Sequence, residues 1–353
     1  MRKETMKAIT VYGPRDARME TVPKPEATGD MVVAKVCRTG VCATDQSIYT
    51  GESSFVRSGE IKYPCRFGHE WAGIVEAVGP NVKRFKVGDR VYSDNFVTCG
   101  VCEACKRQDY ANCRSTRSVG TVNTWDGCYA EYMQMPERHV YPLPDELSMD
   151  EGALIEPASI AYDAFRGVTL TQNDTAVVFG TGAIGMVAVW LAKYYGAGEV
   201  ILVGRTDEKL KIALQIGADH VINGKNEDAV AKIKELSLGK KGANLVVETS
   251  GSASALRDSI ACAARYSRIS VVSFYEKNVD DLPIDKLVQE HISMIGAAGR
   301  AGNSPAVCEI MRKNPVKLTP VFTQHIPFQN ALDIFENAQT YHKTKIKAII
   351  TFD

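Results

Sequence analysis

Four thiols crowd one short segment, Cys99-Gly100-Val101-Cys102-Glu103-Ala104-Cys105, followed by Cys113. Thiolates at this spacing can wrap one ion tetrahedrally without a long loop to close, and four sulfur donors leave no open position. The spacing therefore predicts a structural zinc site. Free or disulfide-bonded cysteines are the plain alternative, and an iron–sulfur cluster lacks any partner motif for electron transfer. A second signal is Gly180-Thr181-Gly182-Ala183-Ile184-Gly185. It follows the apolar run Thr175–Phe179 and opens a helical pattern over Ala183–Tyr195. In that strand–turn–helix setting the spacing holds a dinucleotide. Gly180 permits the tight turn, Gly182 lets the backbone approach a pyrophosphate, and Gly185 lets helix and strand pack closely. The helix start at Ala183 and Ile184 then offers free N–H groups and a positive dipole to the phosphates.

The end of the next strand selects the cofactor. An acid there holds the ribose 2′-hydroxyl of NAD. Val203-Gly204-Arg205-Thr206 has none. A guanidinium fork at Arg205 suits a 2′-phosphate, so NADP is favoured over NAD, which Thr206 or Asp207 could still accommodate. Other chemistry-bearing residues are dispersed: Cys42, Thr44 and Asp45 in Gly40-Val41-Cys42-Ala43-Thr44-Asp45, His69 and Glu70 after Gly68, and Glu156 before Pro157. Taken singly, each has a plain role as a buried thiol, a turn or capping residue, or a satisfied core histidine.

The elements that must position these groups fall into two textures. Up to about residue 155, short alternating runs such as Lys7–Tyr12, Met31–Cys37, Trp71–Val78, Arg90–Ser93 and Cys128–Met135 are broken by Gly and Pro. They predict a compact β-rich unit. From Thr175, strand-like runs (Thr175–Phe179, Glu199–Val203, His220–Ile222, Asn244–Glu248, Arg268–Phe274, Ser293–Ala297) alternate with helical stretches. That alternation predicts an α/β, Rossmann-type doubly wound parallel sheet. The tail adds helical stretches near Pro305–Arg312 and Gln329–Thr340 and a strand-like Ile346–Phe352. Its return to the first unit is an expectation that pattern alone does not establish. The 353 residues are enough for about two domains. With 42 Lys+Arg against 42 Asp+Glu there is no basic excess for nucleic acid. The longest apolar stretch, Ala183–Ala192, is too short for a bilayer. No targeting segment is visible, so the cytoplasm is expected, where disulfides are rare.

Together the motifs resemble the zinc-dependent medium-chain dehydrogenase/reductase family, in pattern nearest its polyol (sorbitol-like) and threonine dehydrogenases. The markers run along nearly the whole chain: Gly40-Val41-Cys42-x-Thr44-Asp45, Gly68-His69-Glu70-x-x-Gly73, Val87-Gly88-Asp89-Arg90-Val91, the four cysteines, Asp126-Gly127-x-Tyr129-Ala130-Glu131-Tyr132, Glu156-Pro157 and Gly180–Gly185. The resemblance implies a chaperonin-10-like β-rich catalytic domain over 1–157, completed by 298–353, with the Rossmann domain inserted over 158–297. It makes Cys42, His69 and Glu156 ligands of a catalytic zinc, with Glu70 a fourth or exchanging ligand. Asp45 becomes the carboxylate that fixes the tautomer of His69, and Thr44 the hydroxyl that takes the alcohol proton. Two zinc ions per chain follow, one catalytic and one structural.

The implied reaction is hydride transfer between a secondary alcohol, of polyol, cyclitol or sugar-like type, and NAD(P), giving a ketone. A bulky alicyclic alcohol such as a steroid, a zinc-free enoyl or quinone reductase, and a non-catalytic NAD(P)-binding sensor are the alternatives. Ser47 stands where many relatives carry a histidine that passes the proton to solvent, so the outer half of that path differs here. Tyr49, Phe55, Trp125 and Tyr162 are near the motifs as pocket candidates, with packing the simpler role. The resemblance also implies a homodimer or homotetramer, with Arg268–Phe274 and Ser293–Ala297 as contact edges.

Overall fold

A computed structural model describes residues 4–341 and 344–352. In the β-rich half, Met31–Gly40 is the central strand. It pairs antiparallel with Glu70–Val78 on one side, and with Tyr132–Pro136 and the C-terminal Lys347–Thr351 on the other. Gly40 thus lies opposite Glu70 in one neighbour and Ile349 in the other. The chain then turns at Cys42, the N-cap of helix α1 (Ala43–Thr50). Strand pairing alone therefore brings Cys42, Glu70 and the tail together.

Helix α2 (Met149–Asp163) begins with a capping box in which Ser148 and Glu151 satisfy each other's backbone N–H groups. It is buried nearly all round and packs on the strand Glu70–Val78 and on helix α3 (Ala183–Tyr194). The helix runs unbroken through position 157 and holds Glu156 at its buried centre, 5% exposed.

Six apolar runs form the nucleotide half: β1 (Thr175–Phe179), β2 (Glu199–Gly204), β3 (His220–Asn223), β4 (Ala243–Glu248), β5 (Ala263–Val271) and β6 (Ser293–Gly296). All neighbours are parallel, in the order β3-β2-β1-β4-β5-β6. Every residue of β1 is buried, as expected for a strand covered on both faces. The order reverses between β1 and β4, which puts a crevice beyond their carboxyl ends.

Three sequence expectations need correction. The run read as Arg268–Phe274 begins earlier, at Ala263, because the preceding helix stops at Cys262 and Ala263 already pairs with Ala243. That strand is interior, so only β6 offers a sheet edge there. Within Cys128–Met135 the strand starts at Tyr132, because Cys128 and Tyr129 bond instead to backbone oxygens of Gly68 and Phe67. The tail stretch Gln329–Thr340 is broken into a 3₁₀ turn, Phe328–Asn330, and two short helices, Asp333–Glu336 and Ala338–Tyr341. No helix among the described residues is long and apolar enough to cross a membrane.

Candidate active site and metal centres

The four cysteines meet as their spacing predicts. Cys102 caps the short helix Glu103–Lys106, which swings Cys105 back toward Cys99, and a 3₁₀ turn at Tyr110–Asn112 delivers Cys113. Their Sγ atoms all lie within 4.8 Å of one another. Cys99 to Cys105 is 3.8 Å and Cys113 to Cys99 is 3.6 Å. Disulfide sulfurs sit about 2.05 Å apart, whereas two sulfurs on one tetrahedral zinc sit about 3.8 Å apart, given Zn–S of about 2.3 Å. Burial raises Cys113, but backbone N–H groups of Cys99 and Ser115 outweigh it and bring the thiol down to about 6. These donors fit a closed zinc site. Cys102→Ser is expected to halve the zinc content while hydride transfer stays measurable. The unfolding midpoint should fall by about 3 °C or more, from a loss of about 2 kcal/mol at this chain size. Elemental analysis and a thermal melt check both.

The dispersed residues converge too. One donor atom each from Cys42, His69 and Glu70 lies within 4.8 Å of the other two. His69 is 5% exposed and faces Asp45 across 3.4 Å, Nδ1 to Oδ1. Asp45 is fully buried and accepts from the Cys42 backbone N–H at 3.0 Å and from the Tyr129 hydroxyl at 2.6 Å. Burial alone would lower the His69 imidazole, but the Asp45 carboxylate outweighs it and holds the ring well above its usual value. A carboxylate on Nδ1 in this way orients Nε2 and makes it a stronger donor to a metal. The same pairing holds Asp45 below its usual value against the opposing effect of burial.

Glu156 is not in that close set of three donors. It lies near enough for its carboxyl to feel His69, Glu70 and Lys347. Burial, the largest influence, pushes it up to about 7. A thiol, an imidazole and two buried carboxyls suit a divalent cation, whose charge would favour ionised Glu156. Thr44 is in the first turn of α1, two residues from Cys42 and half-buried. The Ser47 hydroxyl donates to the Thr44 carbonyl at 2.9 Å.

The glycine turn has the geometry its spacing implies. Gly180 has φ +112°, and a Cβ there would meet Thr249 Oγ1 at 2.5 Å. A Cβ on Gly185 would sit 2.0 Å from the Gly180 carbonyl oxygen. At Gly182, the N-cap of α3, a Cβ would meet nothing within 4 Å, and no side chain caps the helix. The helix start, with Ala183 and Ile184, is therefore free for an anion. Arg205 is exposed at the end of β2. Gly204 also has a packing reason: a Cβ there would lie 2.3 Å from the Thr181 methyl carbon. Thr181 fills the place an acidic side chain would need.

Of the pocket candidates, Tyr49 packs against Phe335 in the core. Trp125 lines a separate outer cavity of about 480 Å³ with Arg66 and Asp126, and Tyr162 packs at the edge of the main core. Phe55 meets Phe274 edge-on across the two halves at 5.3 Å. Two site residues carried no sequence signal. Lys347, 3% exposed, bonds both Glu70 oxygens. Asn95 faces Glu156 and favours its charged form.

A dinucleotide-type sheet and a thiol–imidazole–carboxylate cluster in one chain fit an enzyme that uses a nucleotide cofactor and a metal. Comparison with known proteins narrows the class. Residues 28–145 match the alcohol dehydrogenase GroES-like domain and residues 183–313 the zinc-binding dehydrogenase domain. The chain is 31% identical to the sorbitol dehydrogenase of Bacillus subtilis, over 98% of this chain and 97% of that one. It is 32% identical to the L-threonine 3-dehydrogenase of the same organism, over 96% of each. The crystal structure of 2R,3R-butanediol dehydrogenase from Bacillus subtilis superposes with TM-score 0.86 at 28% identity, covering 99% of this chain and 100% of that one. The chain belongs to the zinc-dependent medium-chain dehydrogenase/reductase family. It is an NAD(P)-dependent dehydrogenase that uses zinc. Neither a zinc-free reductase nor a non-catalytic sensor is favoured.

Proposed function

We propose that the enzyme interconverts a secondary alcohol of a polyol, cyclitol or sugar-like substrate and its ketone. One zinc would be held by Cys42, His69 and Glu156, with Glu70 a fourth or exchanging ligand, and a second by Cys99, Cys102, Cys105 and Cys113. The observation that carries this reading is the convergence of Cys42, His69 and Glu70 donor atoms within 4.8 Å. The sorbitol and butanediol specificities of the similar proteins support the substrate class.

Bound at this site, zinc supplies a Lewis acid that lowers the pKa of the alcohol and polarises the ketone. The protein does the rest. Asp45 keeps His69 in register, and Tyr129 keeps Asp45 in place. Thr44 takes the hydroxyl proton and passes it outward. Gly180, Gly182 and Gly185 hold the cofactor phosphates against the start of α3, which aligns the nicotinamide with the carbinol carbon. The catalytic unit takes residues 1–157 and 298–353, and the nucleotide unit 158–297; pairing of Lys347–Thr351 with the Met31–Gly40 strand supports that division.

NADP is the preferred cofactor in this reading, through Arg205. Arg205→Ala should weaken NADP binding about 10- to 150-fold, from a charge-assisted bond of about 1.5–3 kcal/mol, and leave NAD unchanged. Fluorescence titration with both cofactors checks this, and an equal loss for NAD refutes it. The assembly is a homodimer or homotetramer, supported by the open edge of β6 beside exposed Ile284 and Val288. The location in this reading is the cytoplasm, where four clustered cysteines stay reduced for zinc. The function is tested by a screen of polyols and other secondary alcohols with each cofactor, following reduced nicotinamide absorbance. Turnover confined to steroid-like alcohols, or to none, would refute the substrate class.

A further inference from the structure

We propose that Asn223 determines the cofactor preference by engaging the Asp207 carboxylate. That acid would otherwise serve the ribose hydroxyls of NAD, and Asn223 thereby leaves the 2′-phosphate of NADP to Arg205. The inference rests on the reading of Arg205 as the 2′-phosphate ligand, and it goes beyond that reading by naming what disarms the neighbouring acid.

The strand register builds the contact. β2 and β3 run parallel, and their last pair is Gly204 opposite Asn223. The next N–H, of Gly224, donates to the Gly204 carbonyl at 2.9 Å. The carboxyl ends of the two strands therefore finish side by side. No acid can stand at position 204 itself, because a Cβ there would lie 2.3 Å from the Thr181 methyl carbon of the glycine turn. The first acid after β2 is Asp207, three residues on, which opens the helix Asp207–Gln215 behind its N-cap Thr206. Asn223 Nδ2 donates to Asp207 Oδ1 at 2.6 Å. Asn223 Oδ1 in turn accepts from the Lys225 backbone N–H at 3.1 Å. That second bond fixes which end of the amide faces the acid.

Asp207 is exposed, so burial does not force it onto Asn223. The helix start already favours a carboxylate at this position, so the helix does not need the amide either. The contact has a use in the direction it gives the acid. Arg205 is two residues away and also exposed. A carboxylate free to turn toward the ribose would accept from the 2′-hydroxyl of NAD. It would also repel a 2′-phosphate and compete for the guanidinium that grips it. Held on the β3 side by Asn223, the carboxylate does neither, and the charge presented to the 2′ position is that of Arg205.

The test is titration of the zinc-loaded enzyme with NADP and NAD separately, read as two dissociation constants. Asn223→Ala frees Asp207. NADP should bind about 10-fold more weakly and NAD about threefold more tightly, so the ratio moves about 30-fold toward NAD. Asn223→Ser keeps an acceptor for the Lys225 N–H but is too short to hold Asp207. It should move the ratio the same way, and it serves if Asn223→Ala does not fold. Adding Asp207→Asn to either variant should return the ratio to that of Asp207→Asn alone, itself within about threefold of wild type. A wild-type ratio in both Asn223 variants, or a shift that persists with Asp207→Asn, overturns the proposal. If Arg205→Ala weakens both cofactors equally, the 2′-phosphate reading has failed and the role of Asn223 with it. If Arg205→Ala weakens NADP alone while the Asn223 variants keep the wild-type ratio, only the role of Asn223 falls.

Discussion

Cys42→Ser is expected to lower kcat by about 10³-fold or more, a loss of about 4 kcal/mol of transition-state stabilisation. Binding of NADP should stay within about twofold of wild type, because the glycine turn is on another part of the chain. The argument is geometric. Cys42 is the N-cap of α1, and its backbone N–H donates to Asp45 Oδ2 at 3.0 Å. Serine keeps that backbone bond and the extended N-cap conformation, so α1 and the Asp45–His69 pair should survive. What is lost is the thiolate, a much better zinc donor than a neutral hydroxyl. Zinc should fall from two per chain to one, with the four-cysteine lobe retaining its ion. Stopped-flow kinetics, elemental analysis and cofactor titration together separate a lost metal from a lost fold. Full activity with one zinc per chain would refute the role of Cys42.

The second large effect lies at the cofactor turn and uses two glycines as a matched pair. Gly185→Ala puts a Cβ 2.0 Å from the Gly180 carbonyl oxygen and 2.8 Å from Thr249 Oγ1, so α3 must move away from β1. The amides at Ala183 and Ile184 move with it. Cofactor affinity should fall at least about 100-fold, or about 2.8 kcal/mol, and stability should fall too. At Gly182 the same added carbon meets nothing within 4 Å. Gly182→Ala should therefore fold as wild type, with an unchanged melting temperature, yet bind NADP about 10-fold more weakly, because the methyl stands where the pyrophosphate approaches. Calorimetric titration and a thermal melt on both variants make the comparison. Normal cofactor binding by Gly182→Ala would contradict a phosphate seat at this turn.

What could be read in advance depended on how local the cause was. The four cysteines lie within fifteen residues, so their spacing alone brings them together. The nucleotide half was legible because the central strands β1, β2 and β4 are largely apolar runs, and Gly180, Gly182 and Gly185 mark the turn between β1 and α3. The strand Arg90–Ser93 matches its sequence limits because Gly88 and Asp94 bound it. Cys42, His69 and Glu156 carried weight only through the family resemblance, since nothing local distinguishes them from core residues. Helix α2 was hidden for two reasons. It is buried nearly all round, which erases the 3.6-residue period, and Pro157 inside it reads as a terminator. Lys347 was invisible because its partner Glu70 is 277 residues away, and a lysine in a strand gives no sign of burial. The early start of β5 depends on its pairing with Ala243, a tertiary fact.

The account turns on a shared ion at Cys42 and His69. A crystal of the holoenzyme with cofactor, measured above and below the zinc absorption edge, tests this most directly. Two anomalous peaks per chain are expected. One should lie among Cys99, Cys102, Cys105 and Cys113, and the other within about 2.0–2.3 Å of the Cys42 sulfur and a His69 nitrogen, with Glu156 completing the protein ligands and Glu70 a fourth or exchanging one. A single peak confined to the four-cysteine lobe, in crystals of protein that still oxidises alcohol, would contradict it.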